Sequence, residues 1–146
     1  MAWGKRFYMK GAFLDELTDA AVDRAAEQGA IAPDGSSISL WAQGGATRQV
    51  TEDATAFTGR AAAYWLGAEA FWMDKERDAE YIAWGRATMA ALKPYTRAGH
   101  YVNDVVEQGD DVVRAIYGDK KYDRLRALKR IHDPDNVFRL NQNIRP

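Results

Sequence analysis

The run from Ala61 to Trp72, near the middle of the chain, is almost wholly apolar. Hydrophobic periodicity cannot distinguish a helix from a strand in such a run, so other features have to decide. Its length, its aromatic residues and Gly67 favour a strand that is buried on both faces. A chain of 146 residues is about one domain by length and is long enough to bury one core.

Two further segments alternate between apolar and polar side chains, the pattern of a strand with one apolar face. The first covers Phe7 to Phe13, and the second covers residues 36–43. In the second segment Ile38 and Leu40 fall on one face, whereas Trp41 falls on the other. Both segments are therefore predicted to be strands.

Four segments carry helix signals, namely a capping residue, apolar residues at three- and four-residue spacing, or a glycine or proline at the end. They are Asp19 to about Gln28 after Thr18 and ended by Gly29, Lys75 to Leu92 after Asp74 and ended by Pro94, Asp110 to Tyr117, and Tyr122 to Arg130. Residues 98–108 are predicted to be extended. This order predicts an α+β fold: an antiparallel sheet covered by helices on one face, then a short helical C-terminal module.

The composition argues against several classes of function. The chain has 20 basic and 21 acidic residues, so no overall field draws it to nucleic acid or to an acidic membrane. It has no cysteine, which excludes disulfides, thiolate metal sites and a cysteinyl bond to a cofactor from this chain. No apolar run approaches the ~20 residues needed to span a bilayer, and the first residues lack the pattern of a secretory signal. A soluble, cytoplasmic protein is expected.

Charged clusters have ordinary structural interpretations. No carboxylate or histidine spacing typical of a metal site is present, so none is predicted. The acidic pairs Asp110-Asp111 and Asp133/Asp135 are interpreted as helix caps and turn residues rather than as metal ligands. The basic residues between Lys120 and Arg130 are interpreted as a solvated helix rather than as a nucleic-acid patch, because neighbouring aspartates dilute their field.

One segment combines residues that are suited to chemistry. Tyr101 and Asn103 are two positions apart in the predicted extended segment, so their side chains are expected on the same side. Such a pair could hold a planar polar ligand and offer one phenol to it. On the residues alone, the commoner alternative is that Tyr101 is a residue at the edge of the core.

A series of short motifs begins at these residues. It comprises Tyr101-Val102-Asn103, Tyr117-Gly118, Tyr122-Asp123-Arg124-Leu125, Leu128-Lys129, Asp133-Pro134-Asp135-Asn136-Val137-Phe138 and Asn141-Gln142-Asn143-Ile144. In order and spacing it resembles the closing module of berberine-bridge-type FAD oxidoreductases. Upstream, Phe13-Leu14-Asp15-Glu16-Leu17, Leu40-Trp41, Gly44-Gly45 and Asp53-Ala54-Thr55-Ala56-Phe57 resemble the substrate domain of that family. The resemblance therefore covers essentially the whole chain.

The resemblance implies a domain organisation and a reaction. Residues 1–97 would be part of the substrate-binding domain, and residues 98–146 would be the C-terminal module that packs on a flavin domain. Tyr101 would act as general base while a hydride passes from the substrate to FAD, and Asn103 would contact the flavin side. A free phenol has a pKa of about 10, so this role requires a nearby cation or hydrogen-bond donor that stabilises the phenolate. Trp41, Tyr64 and Glu69 are expected to line the substrate pocket.

The sequence also departs from the family pattern. The FAD-binding domain of the family has no counterpart in these residues. The last strand of the substrate domain often presents a polar residue to the flavin, and here only Tyr64 or Glu69 could take that place. Thr58-Gly59 stands before Arg60, where Pro-His is more usual. The motif from Asp133 to Phe138 is expected to be a structural clasp that seats Phe138 in a core.

Two hypotheses about function follow. In the first, the chain is the C-terminal portion or one subunit of a flavin-dependent oxidoreductase that acts on a small-molecule substrate. In the second, it is a truncated, non-catalytic domain that self-associates or binds a partner or a small molecule without flavin. Both predict that the face of residues 98–146 is covered, by another copy or by a partner chain carrying the FAD-binding domain.

Overall fold

The fold is built on a three-stranded antiparallel sheet with the strand order β1-β3-β2. The computed structural model describes residues 4–106 and 108–146. The strands are β1 (Arg6–Leu14), β2 (Ser37–Ala42) and β3 (Tyr64–Trp72). The apolar run thus supplies the central strand, which pairs with β1 on one side and β2 on the other. The predicted α+β class, with helices on one face of an antiparallel sheet, is confirmed.

The central strand is covered by helices on one face only. Leu66, Ala68 and Ala70 are buried beneath the helices, whereas Trp65 and Glu69 on the opposite face are only partly buried. The second face of β3 is therefore only partly covered, and the prediction of a strand buried on both faces is wrong there. No helix of the described residues packs there, because that side receives the turn around Asp104 instead.

Two helices form the covering layer. They are α1 (Asp19–Ala30) and α3 (Asp78–Leu92), and Tyr81 and Leu92 of α3 are almost fully buried against the sheet. The hydroxyl of Thr18 accepts a hydrogen bond from the Ala21 N–H at 3.2 Å, which confirms the predicted N-cap. The predicted bounds of these helices were approximate. Helix α1 continues through Gly29, and α3 is extended by 3-10 turns at Lys75–Arg77 and Lys93–Tyr95.

A long connection joins β2 to β3. This connection contains the short helix α2 (Ala46–Gln49) and a 3-10 turn at Glu52–Ala54. Helices α4 (Asp110–Tyr117) and α5 (Asp119–His132) come after the sheet and pack on each other. Within residues 98–108 the chain forms a 3-10 turn at Val102–Asp104, so the prediction of a continuous extended segment is wrong; Glu107 lies outside the described residues.

Helix α5 is anchored to the connection by its basic residues. The ammonium of Lys121 is 7% exposed and donates to Glu52 Oε1 at 2.9 Å and to the Phe57 carbonyl at 2.8 Å. Burial works to raise the pKa of Glu52, but the Lys121 ammonium and the backbone N–H groups of Arg60 and Gly59 outweigh it and lower that pKa. The prediction of a merely solvated basic helix is therefore wrong for Lys121, because the connection covers it.

The predicted clasp after α5 forms around one carboxylate. Asp133 accepts hydrogen bonds from the N–H groups of Val137 at 2.7 Å and Phe138 at 3.1 Å, and it pairs with Lys129. Asn136 completes the turn with a φ of 52°. The prediction that this turn seats Phe138 in a core is wrong, since the side chain is 80% exposed. The clasp holds the Phe138 backbone and leaves its ring uncovered.

Within the described residues, no helix has both the length and the apolar character needed to cross a membrane.

Candidate functional site

The face of the sheet without helices carries an open cavity of about 410 Å³. Its walls come from all three strands, from the β2–β3 connection and from the turn at Val102–Asp104. The lining residues that matter for chemistry and shape are Trp41, Phe57, Trp65, Glu69, Tyr101 and Asp104. The structure thus brings three of the sequence-predicted site residues, Trp41, Glu69 and Tyr101, to one cavity.

Tyr101 and Asn103 form a hydrogen-bonded pair at the rim. The amide Nδ2 of Asn103 donates to the phenolic oxygen of Tyr101 at 2.8 Å. The pair meets because the Asp104 N–H donates to the Tyr101 carbonyl at 2.9 Å and closes a 3-10 turn. The sequence therefore predicted correctly that the side chains of Tyr101 and Asn103 lie together. A tight turn brings them together, rather than the alternation of side chains in an extended segment.

Asn103 faces a second cavity on the other side of this turn. This cavity measures about 610 Å³, and its polar lining residues are Asn103, Gln108, Tyr117, Asn141 and Gln142. Burial, and secondarily the neighbouring Tyr101, raise the pKa of the Tyr117 phenol. The Tyr101–Asn103 pair consequently lies between two cavities, since Tyr101 lines the first and Asn103 lines the second.

The floor of the first cavity is the indole of Trp65, a feature that the sequence analysis did not predict. The indole lies over Gly11 and Gly67, which are directly opposite each other on β1 and β3. Its Nε1–H donates to the carboxylate Oδ2 of Asp104. Two glycines in paired strands are a signal for such a ring, but only the register of β1 with β3 reveals that they are partners.

Asp104 is a buried carboxylic acid inside this site. It is 5% exposed, and burial raises the pKa of its carboxyl. The hydrogen bond from Trp65 and the nearby His100 act in the opposite direction, whereas the negative charge of Glu69 adds to the rise. A carboxylate that loses its hydration is costly unless hydrogen bonds replace the water, and here the indole supplies such a bond.

The segment that carries Tyr101 is held against the sheet by the residues that depart from the family pattern. The hydroxyl of Thr58 donates to the His100 carbonyl at 3.1 Å, immediately before Tyr101. Gly59 has a φ of +84°, and a Cβ there would lie 2.5 Å from the Phe13 ring. The Thr-Gly pair therefore suits this structure, since it provides the donor and the space that the close approach requires.

The predicted pocket residues divide between the two faces of the sheet. Trp41 is 64% exposed and meets Trp65 edge-on, with ring centroids 6.3 Å apart at 86°. Glu69 lines the same cavity. Tyr64 does not belong to this pocket, because it packs with Leu14 under the helices on the other face. Of the two polar candidates on β3, Glu69 is therefore the one that lines the cavity.

No cluster of potential metal ligands occurs in the part of the chain that the structure describes.

Comparison with known proteins identifies the class to which this arrangement belongs. Residues 95–145 match the family model described as berberine and berberine like. The chain is 34% identical over 103 residues to the uncharacterized FAD-linked oxidoreductase YvdP of Bacillus subtilis. The aligned region covers 70% of this chain and 23% of that protein. It is 36% identical over 101 residues to the FAD-linked oxidoreductase OXR1 of Pyricularia oryzae, covering 66% of this chain and 20% of that protein.

Solved structures share the fold over nearly the full length. Berberine bridge enzyme from Eschscholzia californica superposes with a TM-score of 0.84 at 22% identity, over 97% of this chain and 33% of that one. Aclacinomycin oxidoreductase superposes with a TM-score of 0.76 at 25% identity, over 97% of this chain and 32% of that one. Residues 95–145 therefore carry the berberine and berberine-like domain, and the chain resembles part of the FAD-linked oxidoreductases that it matches. It spans between 19% and 24% of the length of the curated relatives it matches.

Proposed function

We propose that this chain forms the substrate side of an FAD-linked oxidoreductase in which Tyr101 is the general base. The observation that carries the proposal is the position of the Tyr101–Asn103 pair between the two cavities. The substrate would occupy the cavity over Trp65, with its hydroxyl at the phenol. Bound FAD would supply the acceptor for the hydride that leaves the substrate carbon.

The proposed proton transfer goes to the phenolic oxygen of Tyr101, which Asn103 holds by a hydrogen bond. As a base, Tyr101 takes the hydroxyl proton of the substrate, so that the loss of hydride and proton together converts an alcohol to a carbonyl compound. The Asn103 amide donates to the phenolic oxygen at 2.8 Å and holds the phenol in place at the rim of the cavity. Glu69 is a second carboxylate in the same cavity and is proposed to contact the polar end of the substrate.

The second cavity fits one part of FAD and not the whole cofactor. Its volume of about 610 Å³ lies within the range of small-molecule pockets. The side-chain amides of Asn103, Gln108 and Asn141 suit the polar edge of a flavin ring. Among the described residues, no lysine, arginine or glycine-rich loop lines this cavity to neutralise a pyrophosphate. The chain is therefore proposed to contact the ring system, with the rest of the cofactor held by groups beyond the described residues.

The uncovered apolar residues near the end of the chain support a partner for this module. Ile131, Val137, Phe138 and Leu140 are between 70% and 86% exposed. Exposed apolar side chains that lie together on a surface favour an interaction with another protein. We propose that an FAD-binding domain covers them. The alternative function, a flavin-free module that covers the same surface by self-association, rests on this observation alone.

A flavin titration with one substitution tests the proposal. The chain is mixed with FAD, alone and together with the FAD-binding portion of a relative, and bound flavin is followed by its visible absorbance. We expect bound flavin in the complex, and we expect Tyr101→Phe to lower turnover by about 10²- to 10⁴-fold without loss of the absorbance. Tyr64→Phe, on the opposite face of the sheet, is the matched control and should keep its turnover. Undiminished turnover in the Tyr101 variant would remove Tyr101 from the mechanism.

A further inference from the structure

The Trp65 indole is fixed in place by the backbone beneath it. A Cβ at Gly67 would lie 2.1 Å from the Cη2 atom of Trp65, and a Cβ at Gly11 would lie 2.6 Å from its Cζ2 and Nε1 atoms. Real Cβ atoms do not approach so closely, so the ring occupies space that only two glycines leave open. The ring consequently lies flat on the sheet and forms the floor of the cavity.

The carboxylate of Asp104 fixes the edge of the same ring. It accepts the hydrogen bond from Trp65 Nε1–H, and its Oδ2 would lie 2.6 Å from a Cβ at Gly11. Asp104 therefore enters the same gap as the indole. A Trp N–H that is removed from water needs a partner of this kind. The ring is held from below by packing and at its edge by one directional bond.

The backbone of Asp104 belongs to the turn that carries the proposed base. Its N–H donates to the Tyr101 carbonyl at 2.9 Å, and it directly follows Asn103 in the chain. Asp104 thus bonds to the Tyr101 segment through its backbone and to the cavity floor through its side chain. The contact joins positions that are 39 residues apart, so local structure does not provide it.

We propose that Asp104 is a positioning residue: its carboxylate holds the Trp65 indole flat on the Gly11–Gly67 pair and sets the Tyr101 phenol at a defined place beside that floor. Trp41, which meets Trp65 edge-on, depends on the same arrangement for the side wall of the cavity. The structural part of this inference is independent of flavin. Only its effect on turnover rests on the proposed function.

Fluorine NMR of the full chain labelled with 5-fluorotryptophan tests the structural part directly. The chain has five tryptophans, and the resonance that disappears in Trp65→Phe identifies Trp65. Asp104→Ala should move this resonance towards its position in the unfolded chain, and Asp104→Asn, which keeps an oxygen acceptor, should return it close to the wild-type position. Asp133→Ala removes another buried carboxylate and should leave the Trp65 resonance in place. An unmoved resonance in Asp104→Ala, or an equal shift in the Ala and Asn variants, would overturn the proposal.

A measurement on the unaltered chain covers the case in which Asp104→Ala does not fold. The indole N–H of Trp65 should exchange with solvent at least about tenfold more slowly than that of the exposed Trp41, because a hydrogen-bonded, covered N–H exchanges only when the structure opens. Equal exchange rates for the two indoles would show that Asp104 does not hold Trp65.

Turnover in the flavin complex tests the functional part. Asp104→Ala should lower kcat by about 10- to 100-fold, since small displacements of a reacting group cost rate, and Asp104→Asn should restore most of it. Loss of turnover in Tyr101→Phe together with normal turnover in Asp104→Ala would leave the proposed function standing and refute the positioning role. If turnover never depends on Tyr101, the proposed function fails, and the NMR result still decides whether Asp104 positions Trp65.

Discussion

Gly67 shows how a single missing side chain shapes the site. Glycine in a strand interior costs roughly 0.5–1 kcal/mol relative to alanine, because its unfolded chain has more freedom. Here that cost is offset by the contact that it permits, since the Trp65 ring occupies the place of a Cβ. Glycine at this position therefore leaves room for the Trp65 ring that forms the cavity floor, although it weakens the strand itself.

We predict that Gly67→Ala destabilises the protein despite the better strand propensity of alanine. The added methyl would lie 2.1 Å from the Trp65 ring, and overpacking costs about 1–3 kcal/mol, which exceeds the gain in propensity. Chemical denaturation measures the free energy of unfolding, and tryptophan fluorescence reports the displaced ring. Gly44→Ala is the control, because nothing lies within 4 Å of a Cβ there. Equal stability of the two variants would contradict the close contact.

At the scale of elements, two polar contacts hold the C-terminal helix in place. Lys121 joins α5 to the connection between β2 and β3, and Asp133 closes the turn that follows α5. Both involve charged side chains that are mostly removed from solvent. A covered charge with one partner removed costs more than an exposed ion pair contributes, so these contacts should dominate the stability of this region.

We predict that Lys121→Met lowers the free energy of unfolding by about 1–3 kcal/mol, because the Phe57 carbonyl and Glu52 lose their buried donor. The matched change is Lys120→Met at the preceding position of the same helix. The Lys120 side chain is 84% exposed, so its pair with Asp53 should contribute little to stability. Urea denaturation of both variants gives the comparison. A larger effect at Lys120 would contradict the burial of Lys121.

We predict that the clasp at Asp133 opens in acid. The Lys129 ammonium, followed by the N–H groups of Val137 and Phe138, holds the pKa of Asp133 below its usual value. A carboxyl with a lowered pKa in the folded state stabilises that state above its unfolded pKa of about 4, and the contribution is lost as the pH falls through the folded value. Hydrogen exchange of the Val137 and Phe138 amides should therefore lose protection below about pH 4. Asp133→Asn should remove this pH dependence, and the exposed Asp135→Asn should preserve it.

The whole molecule presents more apolar surface than its own layers cover. Phe138 and Leu140 are 80% and 86% exposed, and the sheet has helices on one face only among the described residues. The matched relatives and structures are three to five times longer than the aligned region. The chain is therefore expected to meet additional protein on these surfaces.

We predict that the isolated chain self-associates at micromolar concentration when no FAD-binding partner is present. Light scattering should give a mass above the 16.4 kDa of one chain. The double variant Phe138→Ser and Leu140→Ser should shift the mass towards that of a monomer, because it removes the most exposed apolar side chains. A monomeric mass for the unaltered chain would contradict the prediction.

The sequence by itself determined the strands, the main helices and the resemblance to the family. Caps such as Thr18, the apolar run of β3 and the Tyr101–Asn103 motif act within a few residues of the chain, so they are visible without the fold. Pairs that lie far apart in sequence were decided by the tertiary structure. The register of β3 placed Glu69 in the cavity and Tyr64 under the helices, and packing brought Asp104 to Trp65 and Lys121 to Glu52. The physical reason is that burial and hydrogen bonding between distant residues depend on which faces meet, and no local propensity records this.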